Sequence, residues 1–285
     1  MRKCWVVGPI AWDWPYHLPR LPSSGEFVQA ERLAGRLGGT GANVARALAS
    51  RHLSVAMVGY VGRDSYGESS KKDLGDRGID VSHVLTLPGE TSQVLLFIEP
   101  SGERTIIGAA PDYLNSVTLP VGAVGSGDLV YLAGWREEFE PAVGQLASAG
   151  AIVATVPFAQ PSAALPVSHV IGSASDVPES AAADPWAFYS SWTGGRLKHL
   201  TLTRGARGVR SFSDSGCAEV PAAAVTAVDT TGAGDAFAAA MLAAIAAGLP
   251  LQKGIQDGIA WGAAASRTAG SIPPDWADVP VPSAH

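Results

Sequence analysis

The chain has 285 residues, and its formal net charge at pH 7 is −6. This acidic balance is not typical of a protein that binds nucleic acid or an anionic membrane, so we expect neither partner. Because 47% of the residues are hydrophobic and only 16% are charged, a disordered chain is excluded. The two cysteines, Cys4 and Cys217, form no closely spaced pair, which favours a reduced, cytoplasmic setting.

One uncharged segment raises the question of a membrane span. Residues 236–252 contain no charged side chain, but alanine dominates them, and Gly248 and Pro250 lie near their end. A membrane-spanning helix needs about 20 strongly apolar residues, so we interpret the segment as a buried helix. Arg2 and Lys3 precede only a short apolar run, and no signal peptide is predicted.

In the N-terminal half, strands and helices alternate. Apolar runs and helical spacing predict, in chain order, a strand over 3–10, a helix over 42–51, a strand over 54–60, a helix over 66–77, and a hairpin of strands 94–98 and 105–107. Residues 14–36 contain three prolines and predict loops and edge strands outside the main sheet.

The C-terminal half continues the alternation. Its predicted elements are a strand over 129–132, a helix over 140–149, strands over 152–156 and 167–171, a helix over 182–191, a strand over 200–203, and helices over 233–247 and 251–266. Such alternation implies a mainly parallel sheet with helices on both faces, so we predict a doubly wound α/β fold.

The segments that break the alternation are expected to form a small β lid. We assign residues 14–36 and 90–110 to this lid, and residues 1–13, 37–89 and 111–285 to the α/β core that carries the catalytic site. Ligands of open α/β sheets bind beyond the carboxyl ends of the strands, and the lid is expected to cover that edge.

Several classes of enzyme lack their motifs in this chain. The sequence contains no GxxxxGK[ST], no complete GxGxxG, no HExxH and no GxSxG, and its six histidines are scattered. Walker-type nucleotide hydrolysis, dinucleotide binding, zinc catalysis and nucleophile-elbow hydrolysis are therefore disfavoured.

The most informative run of residues is Asp229-Thr-Thr-Gly-Ala-Gly-Asp235, at the start of the alanine-rich helix. Gly232, Ala233 and Gly234 allow a tight turn whose N–H groups face one point at a helix N-terminus, where an anion is favoured. Asp235 beside such an anion hole is suited to accept a proton from a hydroxyl that attacks a bound phosphoryl group. Asp235 alone is better explained as a helix-capping residue, but the complete run favours phosphoryl transfer.

A second glycine-rich run, Gly38-Gly-Thr-Gly-Ala-Asn43, precedes the first predicted helix. Its glycines allow the backbone to approach a ligand closely, and Asn43 can both donate and accept hydrogen bonds. A flexible turn with Asn43 as a helix cap is an equally good interpretation of this run alone.

Together these two runs resemble the two signatures of the ribokinase-like (PfkB) family of sugar and nucleoside kinases. The resemblance extends over nearly the whole chain, through Asp13, Gly38–Ala45, Gly59, Gly62–Asp64, Gly102–Arg104, Thr203–Gly208 and Asp229–Leu242. It departs at His52, where the family usually has a small residue, and we interpret this as a local difference in a turn.

The resemblance implies a role for each matching residue. It implies Asp235 as the catalytic base and Gly232, Ala233 and Gly234 as the anion hole. For substrate hydroxyls it implies Asp13, Gly39, Gly41 and Asn43. For the nucleotide it implies Thr203, Gly205 and Gly208. For a monovalent cation such as K⁺ it implies Asp229 and Thr231. ATP, Mg²⁺ and a homodimer formed through the lid are also implied.

Two positions depart from the pattern of the family. The family usually has an Asn-x-x-Glu motif for Mg²⁺ and phosphate, where this chain has Ser173-Ala-Ser-Asp176. Asp176 keeps the charge on a shorter side chain, and it can act on Mg²⁺ through one of the waters that this ion retains. Ala11 stands where some ribose-specific members have a polar residue, which argues against ribokinase activity in particular.

Aromatic and basic side chains lie near the predicted substrate position. Trp12, Trp14 and Trp135 are candidates for stacking on a sugar or a base, although packing under the lid explains them as well. Of these we include Trp135 among the predicted substrate-binding residues. Arg104 and Arg136 suit an anionic group, but isolated arginines are more often solvated, so a sugar phosphate is not favoured.

The sequence therefore predicts an ATP-dependent sugar kinase that phosphorylates a hydroxyl, most simply a primary one. A nucleoside kinase on the same scaffold is the first alternative. A ligand-binding relative that has lost turnover is the second, because of Ser173 and Asp176. A dehydrogenase is a distant further alternative, since its fingerprint is missing.

Overall fold

The structure is a computed structural model and describes residues 2–109, 116–158, 161–268 and 272–280. Its strands are β1 (Lys3–Val7), β2 (Ala11–His17), β3 (Glu31–Arg32), β4 (Arg36–Gly38), β5 (Ser54–Gly62), β6 (Asp80–Leu87), β7 (Gln93–Ile98), β8 (Arg104–Ala109), β9 (Leu129–Leu132), β10 (Ile152–Thr155), β11 (His169–Ser173), β12 (His199–Thr203), β13 (Val209–Ser213) and β14 (Gly216–Val220). Its α-helices are α1 (Thr40–Ser50), α2 (Ser65–Asp76), α3 (Glu140–Ser148), α4 (Pro185–Trp192), α5 (Ala233–Ala247) and α6 (Leu251–Ser266).

Nine strands form the large sheet, in the order β14-β13-β12-β11-β10-β9-β1-β5-β6. The strands from β12 to β6 in this order are parallel, and the β13–β14 hairpin adds two antiparallel strands at one edge. The chain runs from β1 to one side through β5 and β6, and then returns to the other side at β9. The strand order thus reverses at β1, where α/β proteins form ligand crevices.

Helices cover both faces of this sheet. Because successive side chains of a strand point to opposite faces, Cys4 and Val6 of β1 pack with α1, α5 and α6, whereas Trp5 and Val7 pack with α3 and α4. Tyr189 of α4 belongs to the second of these two cores. The predicted doubly wound α/β fold is confirmed.

Most of the uncharged segment 236–252 forms helix α5, which lies inside the protein. Its side chains from Ala236 to Ile245 are buried, and it packs against α1 and α6. At Gly258 of α6 an added Cβ would lie 2.5 Å from the ring of Phe237, so the two helices approach closely. Within the described residues, no helix is both long and apolar enough to cross a membrane.

A smaller sheet is formed by β3, β2, β7 and β8 in that order, with β4 paired to the other part of β2. This sheet is the predicted lid. Only three residues, 8–10, separate the end of β1 from Ala11, the first residue of β2. The connection between core and lid is therefore very short. The division of the chain into lid segments 14–36 and 90–110 stays a prediction, and residue 110 lies outside the described residues.

Some local features differ from the predictions. Strand β6 and the β13–β14 hairpin were not predicted, β1 ends at Val7 instead of residue 10, and α4 begins at Pro185 instead of residue 182. His52, just after α1, has a φ of 58°, in the left-handed region that favours glycine. A histidine thus occupies a turn position whose backbone conformation suits glycine better.

The two cysteines lie in different environments. Cys4 is buried in β1, and burial raises the pKa of its thiol to about 12. Cys217 is exposed on β14, at the edge of the large sheet.

Candidate active site

A cavity of about 890 Å³ lies between the lid and the carboxyl ends of the large sheet. Loops that follow β9, β10 and β11 form its floor, and Gln93, Leu96 and Ile106 of the lid strands β7 and β8 line the opposite side. The predicted site residues that line it are Asp13, Gly39, Asn43, Ser173, Asp176, Thr203, Thr231, Gly232, Gly234 and Asp235. Those outside its lining are Gly41, Trp135, Gly205, Gly208, Asp229 and Ala233.

Gly232 and Gly234 bring the N-terminus of α5 to the cavity. Gly232 precedes the helix with φ of 80°, a conformation that a glycine adopts without strain. The N–H of Ala233 bonds to the carbonyl of Thr230 at 3.3 Å, and Ala236 is bonded back to Gly232 at 2.9 Å. The first N–H groups of a helix have no partner within it, so this end of α5 offers donors to an anion.

Asp235 lies in the first turn of α5 and is half-buried at the cavity wall. Burial raises the pKa of its carboxyl group to about 6, and the negative charge of Asp13 acts in the same direction. The Asn43 amide and the positive charge of Arg104 partly oppose this increase. A carboxylate with a pKa close to neutrality can accept a proton and release it again under physiological conditions.

Asn43 connects the glycine-rich segment with the helix that carries Asp235. Its Nδ2 donates a hydrogen bond of 2.8 Å to Asp235 Oδ2, across 192 positions of sequence. Its Oδ1 is buried and has no hydrogen-bond partner among the described residues, so it remains available to a ligand donor. At Gly39 an added Cβ would lie 2.7 Å from the carbonyl oxygen of Pro9, and the φ of 89° also requires glycine.

Asp13 is buried on β2 and faces the cavity from the lid. It lies opposite Arg36 of β4 in the antiparallel pair, and the backbone of Gly38 passes directly over its carboxylate, leaving no space there for a Cβ. The glycine at position 38 thus has a structural reason that is independent of any ligand. Buried carboxylates that face a cavity are suited to accept hydrogen bonds from hydroxyl groups.

Asp229 and Thr231 precede the turn at Gly232. Asp229 is fully buried, and its Oδ1 accepts a 2.9 Å hydrogen bond from the N–H of Thr231. The hydroxyl oxygen of Thr231 is buried and has no partner among the described residues.

The lid contacts this segment directly, which the sequence did not predict. Arg104 Nη1 donates a hydrogen bond of 2.7 Å to the hydroxyl of Thr230, and that hydroxyl lies 3.4 Å from the carbonyl oxygen of Gly102. Gly102 has φ of 80°, and an added Cβ would lie 3.2 Å from the carbonyl oxygens of Ala227 and Val228. The hairpin turn between β7 and β8 is therefore docked on the loop that leads to α5.

The predicted nucleotide residues lie at the ends of β11 and β12 and just after them. Thr203 bonds through its hydroxyl to the carbonyl of Gly172 at 3.3 Å, and Ser173 accepts a hydrogen bond of 3.2 Å from the N–H of Ser175. Asp176 is exposed at the cavity. Gly208 has φ of 84°, and the carbonyl oxygen of Val220 occupies the place of a Cβ. The β13–β14 hairpin by itself therefore requires glycine at position 208.

The predicted aromatic residues pack against other aromatic side chains. Trp135 stacks on Phe158 with 4.0 Å between ring centroids, whereas Trp12 and Trp14 both contact Tyr66 of α2. A ligand role for Trp135 stays a prediction.

Tyr131 is an aromatic residue of the cavity that the sequence reading missed. It lies beside the site because it is near the carboxyl end of β9. Burial, together with the charges of Asp235 and Asp176, raises the pKa of its hydroxyl. The only sequence signal was its position near the carboxyl end of a predicted strand.

A family model described as pfkB family carbohydrate kinase matches residues 1–175 and 189–278. The chain belongs to the PfkB family of carbohydrate kinases. This membership confirms the predicted enzyme class, an ATP-dependent kinase of sugars or nucleosides, and gives no support to the dehydrogenase alternative.

Relatives of this PfkB-family chain cover most of its length. It is 28% identical over 256 residues to the ATP-dependent ribose-1-phosphate kinase of Halopiger xanaduensis, covering 85% of this chain and 84% of that protein. The crystal structure of ribokinase from Thermotoga maritima has a TM-score of 0.77 at 19% identity and covers 99% of this chain and 97% of its own. Phosphofructokinase-2 from Escherichia coli in complex with potassium has a TM-score of 0.73 at 20% identity and covers 97% and 96%.

Proposed function

We propose that this PfkB-family enzyme transfers the terminal phosphoryl group of ATP to a hydroxyl, a primary one, of a small sugar or sugar-like acceptor. The observation that carries the proposal is Asp235, a carboxylate with a pKa of about 6 in the first turn of α5, beside the donors of the helix N-terminus. Base and anion site thus lie within one turn of one helix.

In the proposed reaction, Asp235 accepts the proton of the acceptor hydroxyl as its oxygen attacks the terminal phosphorus of ATP. The bond from that phosphorus to the bridging oxygen breaks, ADP leaves, and the proton is later released from Asp235 to solvent. The backbone of Gly232, Ala233 and Gly234 stabilises the charge on the transferred group through its N–H donors, and the N–H of Ala233 is shared with the carbonyl of Thr230. The hydrogen bond from Asn43 holds the carboxylate in place during this step.

Asp13, Gly39, Gly41 and Asn43 are the proposed acceptor-binding residues, with Trp135 beside them. Asp13 can accept hydrogen bonds from acceptor hydroxyls, and the free Oδ1 of Asn43 can accept a further one. Gly39 and Gly41 act through close packing, because a Cβ at Gly39 would collide with the backbone of Pro9 and Ala11. A Cβ at Gly41 would collide with the backbone of Gly8 and Pro9.

ATP is proposed to bind along Thr203, Gly205 and Gly208, with Ser173 and Asp176 near its phosphates. Magnesium is held in proteins by one or two carboxylates together with substrate phosphates and water, and Asp176 at the cavity fits this pattern. When bound, Mg²⁺ neutralises part of the charge of the phosphates.

The test is a panel of acceptors assayed by ADP release with Mg²⁺. It contains pentoses, hexoses, sugar acids, nucleosides and, because of the relative from Halopiger, ribose 1-phosphate. We expect turnover on a sugar-like acceptor that Asp235→Asn abolishes. Turnover on nucleosides alone would favour the nucleoside-kinase alternative, and turnover on no acceptor would favour the ligand-binding one.

The enzyme is also proposed to form a homodimer through its lid. Four exposed large apolar side chains of the described residues belong to the lid segments: Leu21, Phe27, Ile106 and Ile107. Strand β8 is an edge strand of the lid sheet, and exposed apolar edges are commonly covered by another chain.

A further inference from the structure

Arg36 brings a positive charge to the junction of lid and core. It lies on β4, directly opposite Asp13 of β2, so the two side chains share one face of the lid sheet. Its Nη2 is 3.8 Å from Asp229 Oδ2, and the side chains of Arg36 and Asp229 are 20% and 1% exposed. The guanidinium is thus close to two buried carboxylates, one on the lid and one in the loop before α5.

The other oxygen of Asp229 is also occupied. Asp229 Oδ1 accepts the hydrogen bond from the N–H of Thr231, which fixes the carboxylate relative to the turn at Gly232. Burial lowers the pKa of Arg36, but the charges of Asp229 and Asp13 oppose this, and an arginine stays protonated at neutral pH.

A monovalent cation at Asp229 does not fit this arrangement. The family resemblance predicts K⁺ at Asp229 and Thr231, but one oxygen of this carboxylate faces a guanidinium and the other an N–H group. A second positive charge on the same buried carboxylate would be repelled by the first, with little screening from water. The positive charge next to the anion-binding turn is already part of the chain.

We propose that the guanidinium of Arg36 takes the place of the monovalent cation, so that phosphoryl transfer by this enzyme does not require K⁺. The inference rests on the proposed kinase function for its kinetic test. In this arrangement Arg36 is a positioning residue: it holds Asp229, and through Asp229 it orders the turn that presents the N–H donors of α5. Because Arg36 also lies beside Asp13, one guanidinium lies next to both the carboxylate proposed to bind the acceptor and the carboxylate that precedes the anion site.

The first test uses the unmodified enzyme. Initial rates of ADP formation are measured in KCl and in N-methyl-D-glucamine chloride of equal ionic strength. We expect kcat and KM to agree within about twofold, since no interaction of the transition state is lost. A drop of about tenfold or more without K⁺, restored by K⁺ but not by Na⁺, would overturn the proposal.

A second readout does not depend on turnover. Thermal unfolding midpoints are compared in KCl, RbCl and choline chloride, and binding of Tl⁺, a K⁺ analogue, is followed by thallium NMR. We expect equal midpoints and no saturable Tl⁺ site, because an ion bound to the native state would raise its stability. A saturable site that Asp229→Asn removes would contradict the proposal. These measurements remain decisive if no acceptor is found, so failure of the kinase function and failure of this inference are distinguishable.

Variants of Arg36 test the role of its charge. Arg36→Met should lower kcat by about 100-fold in the absence of K⁺, and added K⁺ or guanidinium should restore part of the rate. Arg36→Lys should keep most of the activity. Arg32→Met is the matched control, because Arg32 is an exposed lid arginine that stacks on Trp14 and leaves Asp229 untouched.

The loss of Arg36 leaves a buried carboxylate without its cationic partner, which can prevent folding. The double variant Arg36→Met/Asp229→Asn removes both charges and keeps the comparison possible. It should fold and show a rate that is low and insensitive to K⁺. Wild-type rates in this double variant would show that neither side chain positions the turn.

Discussion

Three different parts of the chain set the environment of the Asp235 carboxylate. Its position comes from α5, the hydrogen bond that holds it comes from Asn43 of α1, and the nearby positive charge comes from Arg104 of the lid. Burial raises its pKa, whereas Asn43 and Arg104 limit the increase. The carboxylate is therefore ionised at neutral pH but not far from its protonated form.

Asp235→Asn removes this base while it keeps the shape of the side chain. We expect kcat to fall by roughly 10²- to 10⁴-fold, the usual contribution of a general base, while the Kd values for ATP and acceptor measured by calorimetry change little. Glu68→Gln, a change on the exposed face of α2, serves as a control for the loss of a carboxylate. A variant at position 235 with the turnover of wild type would exclude the proposed mechanism.

The raised pKa of Asp235 predicts an acidic limb in the pH profile. Only the ionised form accepts a proton, so kcat/KM should rise with pH and reach half its maximum at about 6. Between the pKa of the unfolded chain, 3.8, and about 6, the native state retains a proton that the unfolded chain has lost, so this group lowers stability as pH rises through that window.

The pH prediction has a specific check at the neighbouring amide. Asn43→Ala removes the hydrogen bond that lowers the pKa of Asp235, so the acidic limb should move to higher pH. A profile of kcat/KM that is flat from about pH 5 to 7 would show that Asp235 is not the titrating base.

At this scale the sequence predicts which residues take part in the reaction, and it does not indicate which residues adjust their environment. Asp235 and Gly232 stand in one continuous run, so their chemistry can be predicted from local spacing alone. The pair of Asn43 with Asp235 and the pair of Arg36 with Asp229 join distant parts of the chain. Only the sheet pairing that sets β4 beside β2 brings Arg36 into place.

Helices α5 and α6 are held together by small residues. At Gly258 the ring of Phe237 leaves no space for a methyl group, so Gly258→Ala should lower the free energy of unfolding by about 1–3 kcal/mol. Gly144 in α3 has open space around it, and Gly144→Ala should raise that free energy by about 0.5–1 kcal/mol. Urea unfolding of both variants checks the pair. Equal effects would mean that helix propensity, and not close packing, explains the glycine at position 258.

The elements that were predicted well are those whose own residues determine them. Helix α5 was predicted over 233–247 and occupies Ala233–Ala247, because Gly232 and Gly248 take left-handed conformations at its two ends. Strand β6 was missed because it is a half-exposed edge strand, with Ser82 and Leu85 among its exposed residues. Its extended form depends on pairing with β5, a contact that its own polarity pattern does not indicate.

The docking of the β7–β8 turn on residues 227–230 is a further element-level feature that spacing did not reveal. In the sequence, Gly102–Arg104 matches the family, but the sequence does not indicate which residues this turn contacts. Gly102 and Arg104 contact the carbonyl and hydroxyl groups of the loop before α5, so the lid and this loop share hydrogen bonds.

At the scale of the molecule, the proposed homodimer forms through apolar side chains of the lid. Sedimentation equilibrium of the wild type should give the mass of a dimer, and Phe27→Ser/Ile107→Glu should give that of a monomer, because the change removes apolar surface and adds charge. Leu249→Glu is the control, since Leu249 is about as exposed as Ile107 but lies between α5 and α6, away from the lid. A wild type that sediments as a monomer at all concentrations would refute the lid dimer.

The contrast between the two thiols gives the protein a natural attachment point for a reporter group. Maleimides react with the thiolate, so Cys4, buried and with a pKa of about 12, should remain unmodified while Cys217 is labelled. In the β13–β14 hairpin, Cys217 lies opposite Phe212, near the turn, and Gly208 lies at the end away from the turn. A fluorophore at this single position would therefore report on the edge of the sheet next to the proposed nucleotide segment, with no engineered cysteine.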